Sequence, residues 1–174
     1  MNSRMPPHQH HSISINLPPA NCFTILVIDD MLPNRVLLRK VLGNAGYEVV
    51  EAANGEEALD LLLKGEVRPH LIITDIEMPH MDGITMASQL RLPENGLDSI
   101  PILAASGNAD DTMRRDALTA GCDVFLTKPF DIKTLRREIA SLLKAKRNRP
   151  GRLTSSTSTL APNRLDAGAD KVGS

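Results

Sequence analysis

The sequence predicts an α/β fold in which helices cover both faces of a parallel, five-stranded sheet. Five short apolar runs recur through the middle of the chain, at residues 23–28, 47–52, 71–74, 102–105 and 124–127. Segments with helical period separate and follow them. The runs are mostly continuous rather than alternating, as expected of strands buried on both faces.

Each element has its own signals. After the first run, Leu37, Leu38, Val41, Leu42 and Ala45 share a helical face, Pro33 suits a first helical position, and Gly46 suits the exit. After the second, Asn54 can cap a helix whose apolar face is Ala58, Leu59 and Leu62. Asp82 can cap the third helix, which carries Ile84, Ala87 and Leu90. The fourth presents Met113, Ala117 and Leu118 before an exit at Gly121, and the fifth Leu135, Ile139, Leu142 and Leu143.

Length and composition set the frame. A chain of 174 residues, 41% hydrophobic, fits one domain with tails. We expect a flexible N-terminal arm over residues 1–21, the folded domain over 22–146 and a disordered tail over 147–174. Four prolines mark the arm, and Ser, Thr, Ala and Arg dominate the tail. His8, His10 and His11 read as part of a polar arm, with no Cys or carboxylate beside them to complete a metal site. A net charge of -1 gives no general attraction to nucleic acid or membrane, and neither is expected as a partner. Residues 131–152 are locally basic, with eight Lys or Arg against two acids, and read as a solvated helix face. Cys22 and Cys122 make a poor disulfide framework and are expected to stay unpaired in a reducing compartment. No apolar run approaches the ~20 residues of a membrane span, and none follows Arg4 as in a signal peptide. A cytoplasmic location is the expectation.

The chemistry collects where such sheets bind ligands, beyond the carboxyl ends of the strands. Those ends present Asp29 and Asp30, then Asp75, Ser106 and Lys128. Three clustered carboxylates raise one another's pKa values unless a cation intervenes, and Mg²⁺ prefers such hard oxygens. A carboxylate beside that metal can act as a nucleophile and form an acyl phosphate. Lys128 can then supply a point charge to the phosphoryl oxygens, and Ser106 a hydroxyl donor. No G-x-x-x-x-G-K-[ST] or G-x-G-x-x-G loop is present, which argues against nucleotide binding.

The segments ILVIDD, LIITDIEMPHMDG, ILAASG and FLTKPF resemble the receiver domain of two-component response regulators, over residues 23–146. The resemblance implies a flavodoxin-like (βα)5 three-layer sandwich with strand order 2-1-3-4-5. It implies that Asp75 is phosphorylated by a histidine kinase or histidine phosphotransfer protein. It assigns Asp30 as direct Mg²⁺ ligand, Asp29 as the acid acting mainly through metal-bound water, and the Glu77 carbonyl as backbone ligand. Ser106 and Phe125 resemble the switch pair, and Lys128 the phosphate-binding lysine, followed by a peptide bond to Pro129 that is usually cis. On phosphorylation Ser106 and Lys128 would be drawn inward and Phe125 would rotate into the vacated space, altering the surface offered to an unidentified downstream protein. Ser106 replaces a more frequent threonine, Gly107 a common alanine, and Glu77 stands at a variable position. Asn34 resembles receivers of hybrid kinases and phosphorelays. A stand-alone regulator and a relay intermediate both fit. A phosphohydrolase does not, since that class resembles Asp-X-Asp at the first strand, and slow self-dephosphorylation is the most catalysis expected.

Overall fold

The computed structural model describes residues 23–108 and 110–148. Cys22 and nearly all of the two expected tails lie outside them. Five β/α units alternate: β1 Thr24–Ile28, α1 Leu32–Gly43, β2 Glu48–Ala52, α2 Gly55–Leu63, β3 Leu71–Asp75, α3 Gly83–Leu90, β4 Ile102–Ser106, α4 Asp111–Thr119, β5 Val124–Thr127 and α5 Ile132–Asn148. A 3₁₀ turn, Pro93–Asn95, precedes β4. All pairings are parallel and the strand order is β2-β1-β3-β4-β5.

Strand alternation builds two cores, because successive side chains leave a strand on opposite faces. Ile25, Val27, Leu71, Ile73 and Leu103 meet Leu42 of α1 and Leu135, Ile139 and Leu143 of α5. Their neighbours Leu26, Ile28, Ile72, Ile102 and Ala104 meet α2, α3 and α4 through Leu62, Met86, Leu90 and Ala117. Burying a Leu or Ile side chain contributes roughly 1.5–3 kcal/mol, so each face anchors its helices independently.

Helix ends follow local chemistry. Asn54 accepts from the Glu57 N–H, and Glu57 in turn accepts from the Ala53 N–H. Asp82 accepts from the Thr85 N–H. Pro33 sits one position inside α1, where its missing N–H leaves no helical bond unmade. Gly46 and Gly121 follow α1 and α4 with φ of 87° and 106°, the left-handed region that favours glycine.

Some sequence expectations need correction. Leu37 is 59% exposed and Leu118 42%. Each lies about 100° around its helix from the residue that reaches the core, Leu38 or Ala117, and none of the described elements crosses over it. Ala45 also stands in solvent, because α1 ends at Gly43.

The far edge of the sheet is tied by Arg91, just after α3. Its guanidinium donates to the carbonyls of Gly121, Asp98 and Ile100 and to the Asp123 carboxylate. Asp123 also accepts from the Ile102 N–H, so the starts of β4 and β5 are fastened together. Cys122 beside this knot is a buried free thiol, and burial pushes its pKa up to about 11, with Arg91 and Asp123 acting in opposite senses. No helix among the described residues is long and apolar enough to cross a membrane.

Candidate phosphoacceptor site

The parallel order places the ends of β1, β3, β4 and β5 side by side at one edge. β1 releases Asp29 and Asp30 there, and β3 ends on Asp75, in register with Ala105 of β4. Asp29 is buried, Asp75 partly so and Asp30 exposed. One carboxylate oxygen from each lies within 4.8 Å of the others.

Lys128, just beyond β5, spans this cluster. Its Nζ donates to Asp75 Oδ2 at 2.7 Å and to Asp29 Oδ2 at 3.0 Å. Burial alone would lower the lysine pKa; the hydrogen bonds and charges of Asp75 and Asp29 outweigh it and raise the pKa. The ammonium is therefore fully charged at neutral pH. The Lys128–Pro129 peptide bond is cis.

Asp29 is held from every side. Its carboxylate accepts from the Met31 N–H at 2.9 Å and from Asn34 Nδ2 at 3.0 and 3.1 Å. Arg35 donates to the Asp29 carbonyl at 2.6 Å and to that of Asp30 at 3.3 Å, steadying the turn that presents both acids. The Asp30 carboxylate carries no hydrogen bond or ion pair among the described residues.

This donor set fits Mg²⁺. Three carboxylates face one ammonium, which leaves net negative charge in a partly buried place, and all the donors are hard oxygens. The unpaired Asp30 carboxylate opens to solvent, where an ion can enter.

The Ser106 hydroxyl lies on the same edge yet does not reach Asp75. It donates to Glu77 Oε2 at 3.1 Å and accepts from the Asn108 N–H at 3.0 Å. The Glu77 N–H stands 3.4 Å from Asp75 Oδ1. Phe125 is already buried, 5% exposed, with the Arg114 guanidinium carbon 5.7 Å from its ring centroid. Phe125 is paired with Ala104, and Ser106 with Thr127, so Phe125 sits one pleat from Ser106 on the same face.

Sequence reasoning named Met113 only for its helix face and did not single out Gly83 or Asn108. Gly83 closes the quoted segment LIITDIEMPHMDG, and its N–H donates to the Ile76 carbonyl at 2.9 Å. A β-carbon there would overlap the Asp75 carbonyl oxygen. Met113 brings its sulfur within 3.1 Å of the Ser106 hydroxyl from α4, a contact that no spacing rule foretells. A cleft of about 240 Å³ opens beside Asp29 and Lys128, walled by Leu37, Leu38, Pro129 and Phe130.

Residues 25–140 match the response regulator receiver domain family. The chain is 35% identical over 124 residues to sporulation initiation phosphotransferase F of Bacillus subtilis, covering 71% of this chain and 96% of that protein. It is 37% identical over 108 residues to the sensor histidine kinase CheAY of Helicobacter pylori, covering 62% of this chain but only 13% of the kinase. Among solved structures, the signal receiver domain of a signal transduction histidine kinase from Syntrophus aciditrophicus is similar with a TM-score of 0.67. The two are 30% identical, over 78% of this chain and 99% of that one. By its matched residues and its site-bearing sheet edge, the chain belongs to the response regulator receiver domains of two-component systems.

Proposed function

We propose that Asp75 accepts a phosphoryl group from the phosphohistidine of a histidine kinase or histidine phosphotransfer protein, and that the acyl phosphate changes how the domain binds a downstream protein. The observation that carries this reading is the Lys128 ammonium bridging Asp75 and Asp29 inside a cluster of three carboxylates. In the transfer, an Asp75 carboxylate oxygen forms the new O–P bond as the donor's N–P bond breaks, and that electron pair returns to the imidazole nitrogen. Lys128 then shifts its donors from the carboxylate to the phosphoryl oxygens, where charge-assisted bonds are strongest.

Mg²⁺ would be held by Asp30 and Asp75 with the Glu77 carbonyl, and by Asp29 through water; when bound it neutralises charge on the transferring group. Asp29 orients Lys128, and Asn34 and Met31 orient Asp29. The cleft beside Lys128, apolar on one wall, suits approach of a donor protein. The family is a phosphoacceptor switch rather than a conventional enzyme, and in this reading the chain's own chemistry ends at slow loss of the phosphoryl group. The reading places the chain in the cytoplasm with its donor.

Likeness to a phosphotransferase over 96% of that protein's length favours one refinement, a relay that passes the group on to a second histidine. Labelling from a phosphohistidine donor tests the core of the proposal. Asp75→Asn should abolish hydroxylamine-sensitive label, since an amide cannot serve as the nucleophile. Labelling of the variant at the wild-type rate would show that another residue is the acceptor.

A further inference from the structure

The Ser106 hydroxyl has one proton to give, and in this structure that proton goes to Glu77 rather than towards Asp75. Ser106 is fully buried, and its oxygen accepts from the Asn108 N–H. A bond from hydroxyl to carboxylate is charge-assisted and outcompetes the weakly accepting sulfur of Met113 nearby. Glu77 itself is exposed, so its side chain can swing away without unpacking the core. Its backbone N–H meanwhile points at Asp75 Oδ1. One residue thus touches the acceptor carboxylate with its backbone and the switch hydroxyl with its side chain.

We propose that Glu77 is a resting-state latch: its carboxylate holds the Ser106 hydroxyl that the phosphorylated site needs, and so sets how readily the domain leaves its resting arrangement. This rests on the reading of Asp75 as phosphoacceptor. A phosphoryl dianion on Asp75 offers the same proton a stronger acceptor, and its charge repels the Glu77 carboxylate. Ser106 is therefore released and recaptured in one step, with Glu77 moving into solvent. Glu77 is a positioning residue here and touches no reacting atom with its side chain.

The test is a double-mutant cycle between Glu77→Ala and Ser106→Ala, read by NMR titration with beryllofluoride and Mg²⁺, with Asp75→Asn as the blank. Glu77→Ala should tighten apparent beryllofluoride affinity roughly three- to tenfold, the range of one charge-assisted bond partly open to water. In the Ser106→Ala background the same substitution should change affinity by less than about twofold, because the partner through which it acts is gone. Glu77→Gln, which keeps an acceptor oxygen without the charge, should fall between. In the free proteins, Glu77→Ala should move the Asn108 amide and Met113 methyl resonances part of the way to their beryllofluoride-bound positions. An equal gain in both backgrounds would show that Glu77 acts only as a nearby negative charge, which overturns the latch and leaves the acceptor reading standing. Absence of any Asp75-dependent binding in the wild type would overturn both.

Discussion

The α-carbon of Gly83 faces the Asp75 carbonyl oxygen at a distance that leaves no room for a β-carbon. The contact lets α3 begin directly beneath Asp75, and the Gly83 N–H bond to the Ile76 carbonyl fastens it there. Gly83→Ala should therefore push back the end of β3 and cost about 1–3 kcal/mol, as overpacking does. Urea denaturation measures that loss. Phosphoryl uptake should fall further than stability alone accounts for, because the displaced backbone belongs to Asp75.

Lys128→Met removes the ammonium that, among the described residues, bonds both Asp29 and Asp75. Asp29 is buried and Lys128 is not fully so, which places the expected loss below the ~3–5 kcal/mol of a wholly buried pair, at about 1–3 kcal/mol. The raised lysine pKa makes this contribution complete below its ordinary value of 10.5 and lost only as pH climbs through the folded value. Mg²⁺ should restore more stability to Lys128→Met than it adds to wild type, since it then answers three uncompensated carboxylates. Denaturation midpoints with and without Mg²⁺ decide the point; equal increments would count against a shared electrostatic site.

Mg²⁺ at about a hundred times its dissociation constant should stabilise the wild type by about 2.7 kcal/mol, and a chelator should remove the gain. Asp30→Ala should lose most of that increment. In chelator the same variant should be at least as stable as wild type, because one of three mutually repelling acids is gone. A less stable Asp30→Ala in chelator would mean that Asp30 has a structural role.

His70 carries the pH dependence we expect. Its Nδ1 accepts the Thr24 N–H at 3.0 Å, Phe23 packs edge-on against its ring, and Lys146 of α5 and Glu48 of β2 bear on it with opposite charge. Burial, then the Lys146 charge, lower its pKa from the ordinary 6.5. Stability from neutral His70 is complete above that value and lost as pH falls through the lower folded pKa. Between pH 7 and 5 the wild type should lose stability relative to His70→Gln, whose amide oxygen still accepts from Thr24. Parallel pH profiles would remove His70 from the account.

Much of this protein is written in local sequence. Apolar runs separated by helical periods place all five β/α units, because burial on a strand or helix face is a repeating local pattern. Asn54 and Asp82 announce their caps because a cap is made within three residues. The resemblance carried by Asp29, Asp30, Asp75, Ser106 and Lys128 was readable for the same reason: these residues stand at or just past the ends of four strands, Asp29 and Asp30 sharing the first. Tertiary structure decided the rest. Leu37 and Leu118 look like core in a helical wheel, yet whether a face is covered depends on where other elements cross it. The Lys128 bridge to Asp29 spans 99 residues, the Arg91 bond to Gly121 spans 30 and the Ser106 bond to Glu77 spans 29. Hydrogen bonds act over about 3 Å, so such partners are chosen only when the sheet has set its strands side by side. Sequence determined which groups reach the site edge; the fold alone determined that the Ser106 hydroxyl donates to Glu77 and not to Asp75.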